Sequence, residues 1–368
     1  MNFKVLPVII SLLILFSSCA AGRVVTDKIQ VPEKFKVELY ADGVENVRAM
    51  AVGDSGVIFA GSMGAGKVYA VVDKDGDKKA DETIIIAEGL TMPVGVALYN
   101  GDLYVSAVNR IIRFKDIENT FRNRPVYEVV YDKFPDDHWH GWKFIRFGPD
   151  KKLYVPVGAP CNVCLRGEKV YSSITRMDSD GNNFEIFAEG IRNTVGFDWQ
   201  PGNGVLWFTE NGRDLMGDDI PPDELNKAPK KGMHFGFPYY HGRGIPDPVY
   251  SKKYSGNLVL TEPEAEFGAH TASLGMRFYT GKMFPEKYKD GIFVAQHGSW
   301  NRSSKTGYRV VFVGIKDGTT QKPEVFADGW MKDEKVYGRP VDIEFLKDGS
   351  MLVSDDKAGA IYRISYSD

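Results

Sequence analysis

A chain of 368 residues has room for one large domain or two ordinary ones, and 46 lysines and arginines against 49 aspartates and glutamates leave it near neutral. That balance, with no basic run, excludes an electrostatic nucleic-acid binder. Thirty-nine glycines and an aromatic content of 12% suit many short strands joined by tight turns.

The N-terminus reads as an export signal. MNFK supplies a positive start, LPVIISLLILF an apolar stretch of signal length, and Ser17-Ser18 a small-residue cleavage site. Leu15-Phe16-Ser17-Ser18-Cys19 resembles a bacterial lipobox, which makes Cys19 the acylated first mature residue; an ordinary signal ending near Ala21 is the alternative. Residues 1–18 are therefore expected to be a lipoprotein signal and 19–33 a short tether. The fold proper is expected over 34–368, on the periplasmic face of a membrane. No later stretch is apolar enough to span a bilayer.

A strand-turn-strand unit then recurs about six times. The copies begin VRAMAVGDSGVIFAGS (from Val47), MPVGVALYNGDLYVSA (Met92), HGWKFIRFGPDKKLYVPVG (His140), RNTVGFDWQPGNGVLWFTEN (Arg192), SLGMRFYTGKMFPEKYKDGIFVAQHG (Ser273) and GRPVDIEFLKDGSMLVSDD (Gly338). No unit can bury both faces of its strands alone. A spacing of roughly 45 to 80 residues fits the four-stranded blades of an all-β, six-bladed β-propeller. Asp-Gly, Gly-Asp and Pro-Asp turns agree. The leftover strand at 35–40 is expected to pair with the last blade and close the ring. Two stacked β-sandwiches would need a linker of changed composition, which is absent. Long excursions at 214–243 and 298–308 are where binding groups would sit.

Cys161 and Cys164 stand in GAPCNVCLRG. An exported chain favours a disulfide here, and Leu165 occupies the place that c-type haem attachment reserves for histidine.

Residues just before each innermost strand should line one mouth of the central channel. His140, Arg48, Arg192, Asn193 and Arg339 hold such places, and His297 follows a strand where a loop can turn inward. Converging cations with an imidazole suit a polyanionic ligand and a general base. The plainer reading pairs these arginines with local carboxylates and packs His140 in the core. His138, His234, His241 and His270 show no metal-ligand spacing. Glu210-Asn211-Gly212-Arg213 and Pro222-Asp223-Glu224-Leu225-Asn226 offer oxygen ligands of the kind calcium takes. In the segment 73–82, DKDGDKKADE, Asp73, Asp75 and Asp77 mimic the start of an EF-hand loop. Lys78 stands where glycine is needed, however, and a solvated hairpin competes with a calcium turn. There is no GxSxG, P-loop or dinucleotide fingerprint.

Over essentially everything after the signal, the chain resembles the soluble pyrroloquinoline-quinone (PQQ) dependent aldose and glucose dehydrogenases, particularly their L-sorbosone dehydrogenase-like branch. FKVELYADGVENVRAMAV, HGWKFIRFGPDKKLYVPVGAPCNVC, EGIRNTVGFDWQPGNGVLWFTENGRD and PPDELN carry the likeness. The resemblance implies PQQ in the central funnel, held with Ca²⁺, and a sugar oxidised at its hemiacetal or aldehyde carbon. Electrons would pass to a quinone or cytochrome. It makes His140 the catalytic base, and Arg192, Asn193 and Arg339 PQQ contacts. Gly212 and Arg213 become calcium-binding carbonyls and Asp223 an outer-shell carboxylate. His297 stands where the glucose enzymes have lysine, Val341 replaces a second arginine, and their glutamine before the second blade has no equivalent. Arg48 would compensate for a lost contact. A calcium-dependent lactonase and a cofactor-free carbohydrate- or protein-binding propeller are the competing readings.

Overall fold

The structure, a computed structural model, describes residues 26–254, 256 and 259–367. The expected signal and the anchor at Cys19 lie outside the described residues. Among the described residues, six sheets of four or five strands follow one another around a ring, with three two-stranded hairpins beside them. Blade 1 comprises Val47–Val52, Ile58–Ser62, Val68–Val72 and Glu82–Ala87; blade 2 comprises Val96–Tyr99, Asp102–Ala107, Arg110–Phe114 and Glu128–Tyr131. Blade 3 holds Arg146–Phe147, Leu153–Val157, Ser173–Met177 and Glu185–Glu189, and blade 4 holds Phe197–Trp199, Leu206–Glu210, Pro222–Ala228 and Ala265–Ala269. Blade 5 runs Ser273–Phe278, Ile292–Gln296, Arg309–Val313 and Glu324–Ala327. Blade 6 takes Pro340–Phe345, Met351–Asp355 and Ala360–Tyr366 from the chain's end and Phe35–Ala41 from its beginning. This is the six-bladed propeller expected from the repeats. Among the described residues no helix is long and apolar enough to cross a membrane.

The ring closes as the leftover strand suggested: Phe35–Ala41 pairs antiparallel with Ala360–Tyr366, Phe35 opposite Tyr366 and Leu39 opposite Tyr362. Phe35 anchors the seam. Its ring meets Phe284, Tyr288 and Phe326 edge-on at 4.8 to 5.6 Å and tilts against Tyr366 at 4.9 Å. Because Phe35 is only partly buried, Phe35→Ala is expected to cost about 2–3 kcal/mol, below the range for a full core phenylalanine. The check is a two-state denaturant midpoint with an unchanged m-value.

Burial follows position in the blade. The second strands of blades 1, 3, 4, 5 and 6 are buried at every residue, as sheets packed on both faces require. The outer strand Glu82–Ala87 alternates toward solvent. Innermost strands crowd the axis, so small residues sit where blades meet. A Cβ on Gly196 would collide with the Leu274 carbonyl, and one on Gly275 with Asp342. The innermost strand of blade 3 is shorter than the apolar run 144–147 predicts. Its partner strand contains Pro156, which has no N–H to give, and pairing begins at Arg146.

Toward one end of the channel Arg277 Nε and Arg146 both donate to Glu344, each at 3.0 Å, while Asp342 accepts the Met50 amide at 2.9 Å. Arg146, Arg277 and Glu344 line a separate cavity of about 370 Å³ at that end. Above this ionic cluster lies an apolar collar of Val195, Leu274 and Val341, joined by Trp142 and Ala272. The opposite mouth is open.

Candidate active site

The open mouth leads into a cavity of about 510 Å³. His140, Arg192, Asn193, Gly212 and Asp223 line it, so five of the residues singled out in the sequence converge. Blade 3 supplies the histidine and blade 4 the rest.

His140 is 7% exposed and sits at φ 51°, a left-handed conformation uncommon outside glycine. Its surroundings enforce that backbone. Gly141 follows it, where a Cβ would strike the Asp137 carbonyl, and Gly158 packs against its own Cβ. Lys143, also buried, donates to the Gly141 carbonyl at 2.8 Å and to Val108 of blade 2, tying the step down from below. Nδ1 of His140 donates to the Ala159 carbonyl at 2.8 Å. That bond puts the proton on Nδ1 and leaves the Nε2 lone pair free. Burial, followed by the nearby Arg192 guanidinium, holds the imidazole well below its usual pKa of 6.5. The ring is therefore a neutral acceptor with its tautomer fixed by a hydrogen bond.

Arg192 is buried and every one of its nitrogens is occupied. Nε donates to the Asn162 carbonyl at 2.9 Å and Nη1 to the Gly212 carbonyl at 3.0 Å. Nη2 donates to Asn162 Oδ1 at 3.0 Å and to Asp214 at 2.9 Å. Asn193 keeps more capacity, its one side-chain bond being a long 3.3 Å contact to Asn211. Asp223, fully buried, accepts from the Gly212 amide at 3.0 Å and from Thr271 Oγ1 and the Ser273 amide at 2.9 Å each. Burial still raises its pKa above the ordinary value of 3.8. Beneath it Glu210 and Glu224 share the Asn226 amide, at 3.4 and 2.9 Å. Desolvation and mutual repulsion push Glu210 well above the carboxylate range, and desolvation first of all lifts Glu224 to about 7. A knot of buried oxygens thus underlies one wall of the cavity.

The remaining expected residues stand apart. Arg48 gives one N–H to Asp356 at 2.7 Å, and His297 Nε2 contacts the same carboxylate at 3.0 Å. These partners hold Asp356 well below the usual carboxylate range, while burial lowers His297. Arg48 therefore follows the plainer reading of an arginine paired with a local carboxylate. Arg339 is exposed beside this cluster, and the Arg213 side chain turns away to Asp247 at 2.5 Å. Asp73, Asp75 and Asp81 do gather, their oxygens within 4.8 Å of one another. Yet the hairpin's own amides at Lys74, Gly76, Asp77 and Lys78 already cap them, as in a solvated turn.

Sequence reasoning missed several groups. His138, noted only for lacking metal-ligand spacing, lines the cavity with Trp139, Trp142 and Trp300, and so does His270, whose place just before a blade start points to the mouth. Asn162 was passed over entirely. It lies between Cys161 and Cys164, which are bonded as expected, and its side chain joins Arg192 to the backbone of Asp214. A polar residue inside a tight disulfide turn was the available signal. Asn162→Ala should lower the melting temperature by about 2–4 °C, because it leaves a buried guanidinium N–H and a backbone amide short of an acceptor. Scanning calorimetry decides this.

Geometry and fold together define a six-bladed propeller whose open mouth leads into a cavity lined by His140, Arg192 and Asp223. The chain belongs to the family described as "Domain of unknown function (DUF7133)", whose profile matches residues 24–300. A second profile, "TrAA12-like", matches residues 252–367. An "Uncharacterized protein" of Borreliella burgdorferi is 33% identical, covering 97% of this chain and 96% of its own. A "Pyrroloquinoline quinone-dependent sugar dehydrogenase" of Hypocrea jecorina is 22% identical over 72% of this chain and 75% of its own. The calcium structure of the Trichoderma reesei carbohydrate-active family AA12 enzyme shares the fold with a TM-score of 0.78. It is 19% identical, with 95% of this chain and 100% of that one covered.

Proposed function

We propose that this protein is an exported, PQQ-dependent dehydrogenase that oxidises the hemiacetal or aldehyde carbon of a sugar, aldose or sorbosone-like. The observation that carries the reading is His140: neutral, tautomer fixed through Ala159, with Nε2 free at the wall of the cavity. In that state it takes the proton of a sugar hydroxyl without first shedding one of its own. Similarity to the fungal PQQ enzyme supplies the cofactor class.

The donor set fits such a group. Asn193 has unspent amide capacity, and Trp142 Nε1 at the cavity wall is buried with no hydrogen-bond partner. For an accompanying Ca²⁺ the Gly212 and Arg213 carbonyls would be the ligands and Asp223 an outer-shell carboxylate; Gly212 and Asp223 line the cavity, and the Gly212 carbonyl at present accepts from Arg192. Arg48, His297 and Arg339 lie outside the cavity lining, the first two tied to Asp356, and would join only on release, whereas Arg192 and Asn193 would hold the quinone directly. Arg192 would have to trade one of its present acceptors to do so. PQQ, when bound, supplies the two-electron acceptor. The protein's own part is to orient the sugar, exclude water and carry the proton on His140 Nε2. Electrons would leave to a quinone or cytochrome.

A cofactor-free carbohydrate-binding propeller is the second reading, favoured by the full engagement of Arg192 and the pairing of Arg48 with Asp356. Dye-linked reduction across an aldose panel, with PQQ and Ca²⁺ added, separates the two. Turnover supports the dehydrogenase, and sugar binding without any turnover supports the second reading. A calcium-dependent lactonase gains little, because the carboxylates lining the cavity, Asp214 and Asp223, both come from blade 4 and its loop. Export and tethering would follow from acylation at Cys19. Palmitate labelling that persists in a Cys19→Ala variant would contradict the anchor.

A further inference from the structure

Two tryptophans on the rim belong to no hydrophobic core. Trp139 is 51% exposed and Trp300 73%, and both line the cavity. Indoles left this open at the lip of a cavity offer flat apolar faces that a ligand can cover.

Both are held in place. Trp139 directly precedes the strained His140, its ring edge-on to the imidazole with centroids 5.8 Å apart, while Trp142 flanks the other side at 5.6 Å. Trp300 rides on a loop pinched at its base, where the Ser299 amide donates to the Thr306 carbonyl at 2.9 Å. That loop is clasped to the excursion of blade 4. Arg302 donates to the Asp218 carbonyl and, at 3.2 Å, to Asp219, and the Ser303 amide donates to Asp218 Oδ1 at 3.0 Å. His270 steadies the same excursion through the Gly217 carbonyl at 2.7 Å. Trp139 leads into blade 3, Trp300 sits on the loop between the second and third strands of blade 5, and Asn211 and Gly212 of blade 4 line the same cavity.

We propose that Trp139 and Trp300 form the sugar-ring platform of this site and set its preference for a cyclic substrate, an inference that rests on the dehydrogenase reading above. A pyranose or furanose ring carries axial C–H groups on its faces and hydroxyls on its edge. An indole face takes the first and leaves the second for polar groups. With the imidazole a ring's width from Trp139, a sugar lying on that indole presents an edge hydroxyl to His140 Nε2. Arg302 then acts as a positioning residue for Trp300.

The test pairs kinetics with binding. With PQQ and Ca²⁺ supplied, Trp139→Ala and Trp300→Ala should each raise the KM for the preferred aldose about tenfold, with a smaller change in kcat and none in the dye KM. Phenylalanine at either position should recover part of the loss, and Arg302→Ala should mimic Trp300→Ala more weakly. Both tryptophans are exposed, so melting temperatures should stay at the wild-type value. Wild-type sugar KM in both alanine variants, or an effect confined to the electron acceptor's KM, overturns the platform. If the wild-type protein shows no PQQ-linked turnover, the dehydrogenase reading fails by itself. Sugar titration followed by tryptophan fluorescence on the same cofactor-free protein then decides the platform. Saturable binding lost in the double variant upholds it, and no binding, or binding unchanged in that variant, removes it.

Discussion

Replacing His140 with alanine is expected to lower sugar turnover by about 10²–10⁴-fold while leaving PQQ affinity unchanged. Alanine removes the acceptor at Nε2 without touching the hydrogen bonds of Arg192, Asn193 or Asp223. A glutamine variant should be as inactive, since it preserves bulk but offers no basic nitrogen. The pH profile gives a second readout. Burial and Arg192 favour the neutral ring, so protonation needs a pH well below 6.5, and kcat/KM should stay level down to that value before its acid limb begins. An acid limb above pH 6.5 would mean that another group titrates. Retained activity in His140→Ala would remove the base assignment outright.

Asp223→Ala is expected to destabilise the fold by about 2–4 kcal/mol, lowering the melting temperature by about 3–6 °C. Two effects oppose each other. Alanine strands the amides of Gly212 and Ser273 and the Thr271 hydroxyl, at about 1–3 kcal/mol for each buried donor left unsatisfied. It also relieves the desolvation that raises the Asp223 pKa, and Thr271 retains Ser273 as a partner at 3.1 Å. The lost hydrogen bonds win because they are the more numerous term. If the carboxylate also serves Ca²⁺, adding calcium at about a hundred times its Kd should stabilise the wild-type protein by about 2.7 kcal/mol and the variant by less. Equal stabilisation of both would disconnect Asp223 from the metal.

Much of this fold was legible because blade periodicity is a property of short sequence windows. Apolar strand, turn and apolar strand recur with their own turn residues, and the orphan strand at 35–40 finds its only consistent place at the seam with Ala360–Tyr366. Mouth positions were legible in part for the same reason: of the residues expected before innermost strands, His140, Arg192 and Asn193 line the cavity, whereas Arg48 and Arg339 do not. What the sequence withheld depends on contacts between distant segments. Arg48 meets Asp356 only because the ring closes, joining residues 308 positions apart. The saturation of Arg192 by Asn162 and Asp214 requires a disulfide turn and a blade 4 loop to meet. The excursion 298–308 reads as a place for binding groups, but only the Arg302 clasp to Asp218 and Asp219 shows Trp300 held at the cavity.

The most direct test is a crystal structure of the protein soaked with PQQ and Ca²⁺. Density for the quinone is expected in the cavity bounded by His140, Trp142, Arg192 and Asn193, with a cation against the Gly212 carbonyl and Arg192 released from at least one present acceptor. An undisturbed cavity at saturating PQQ, with Arg192 still bound to Asn162 and Asp214, would contradict it.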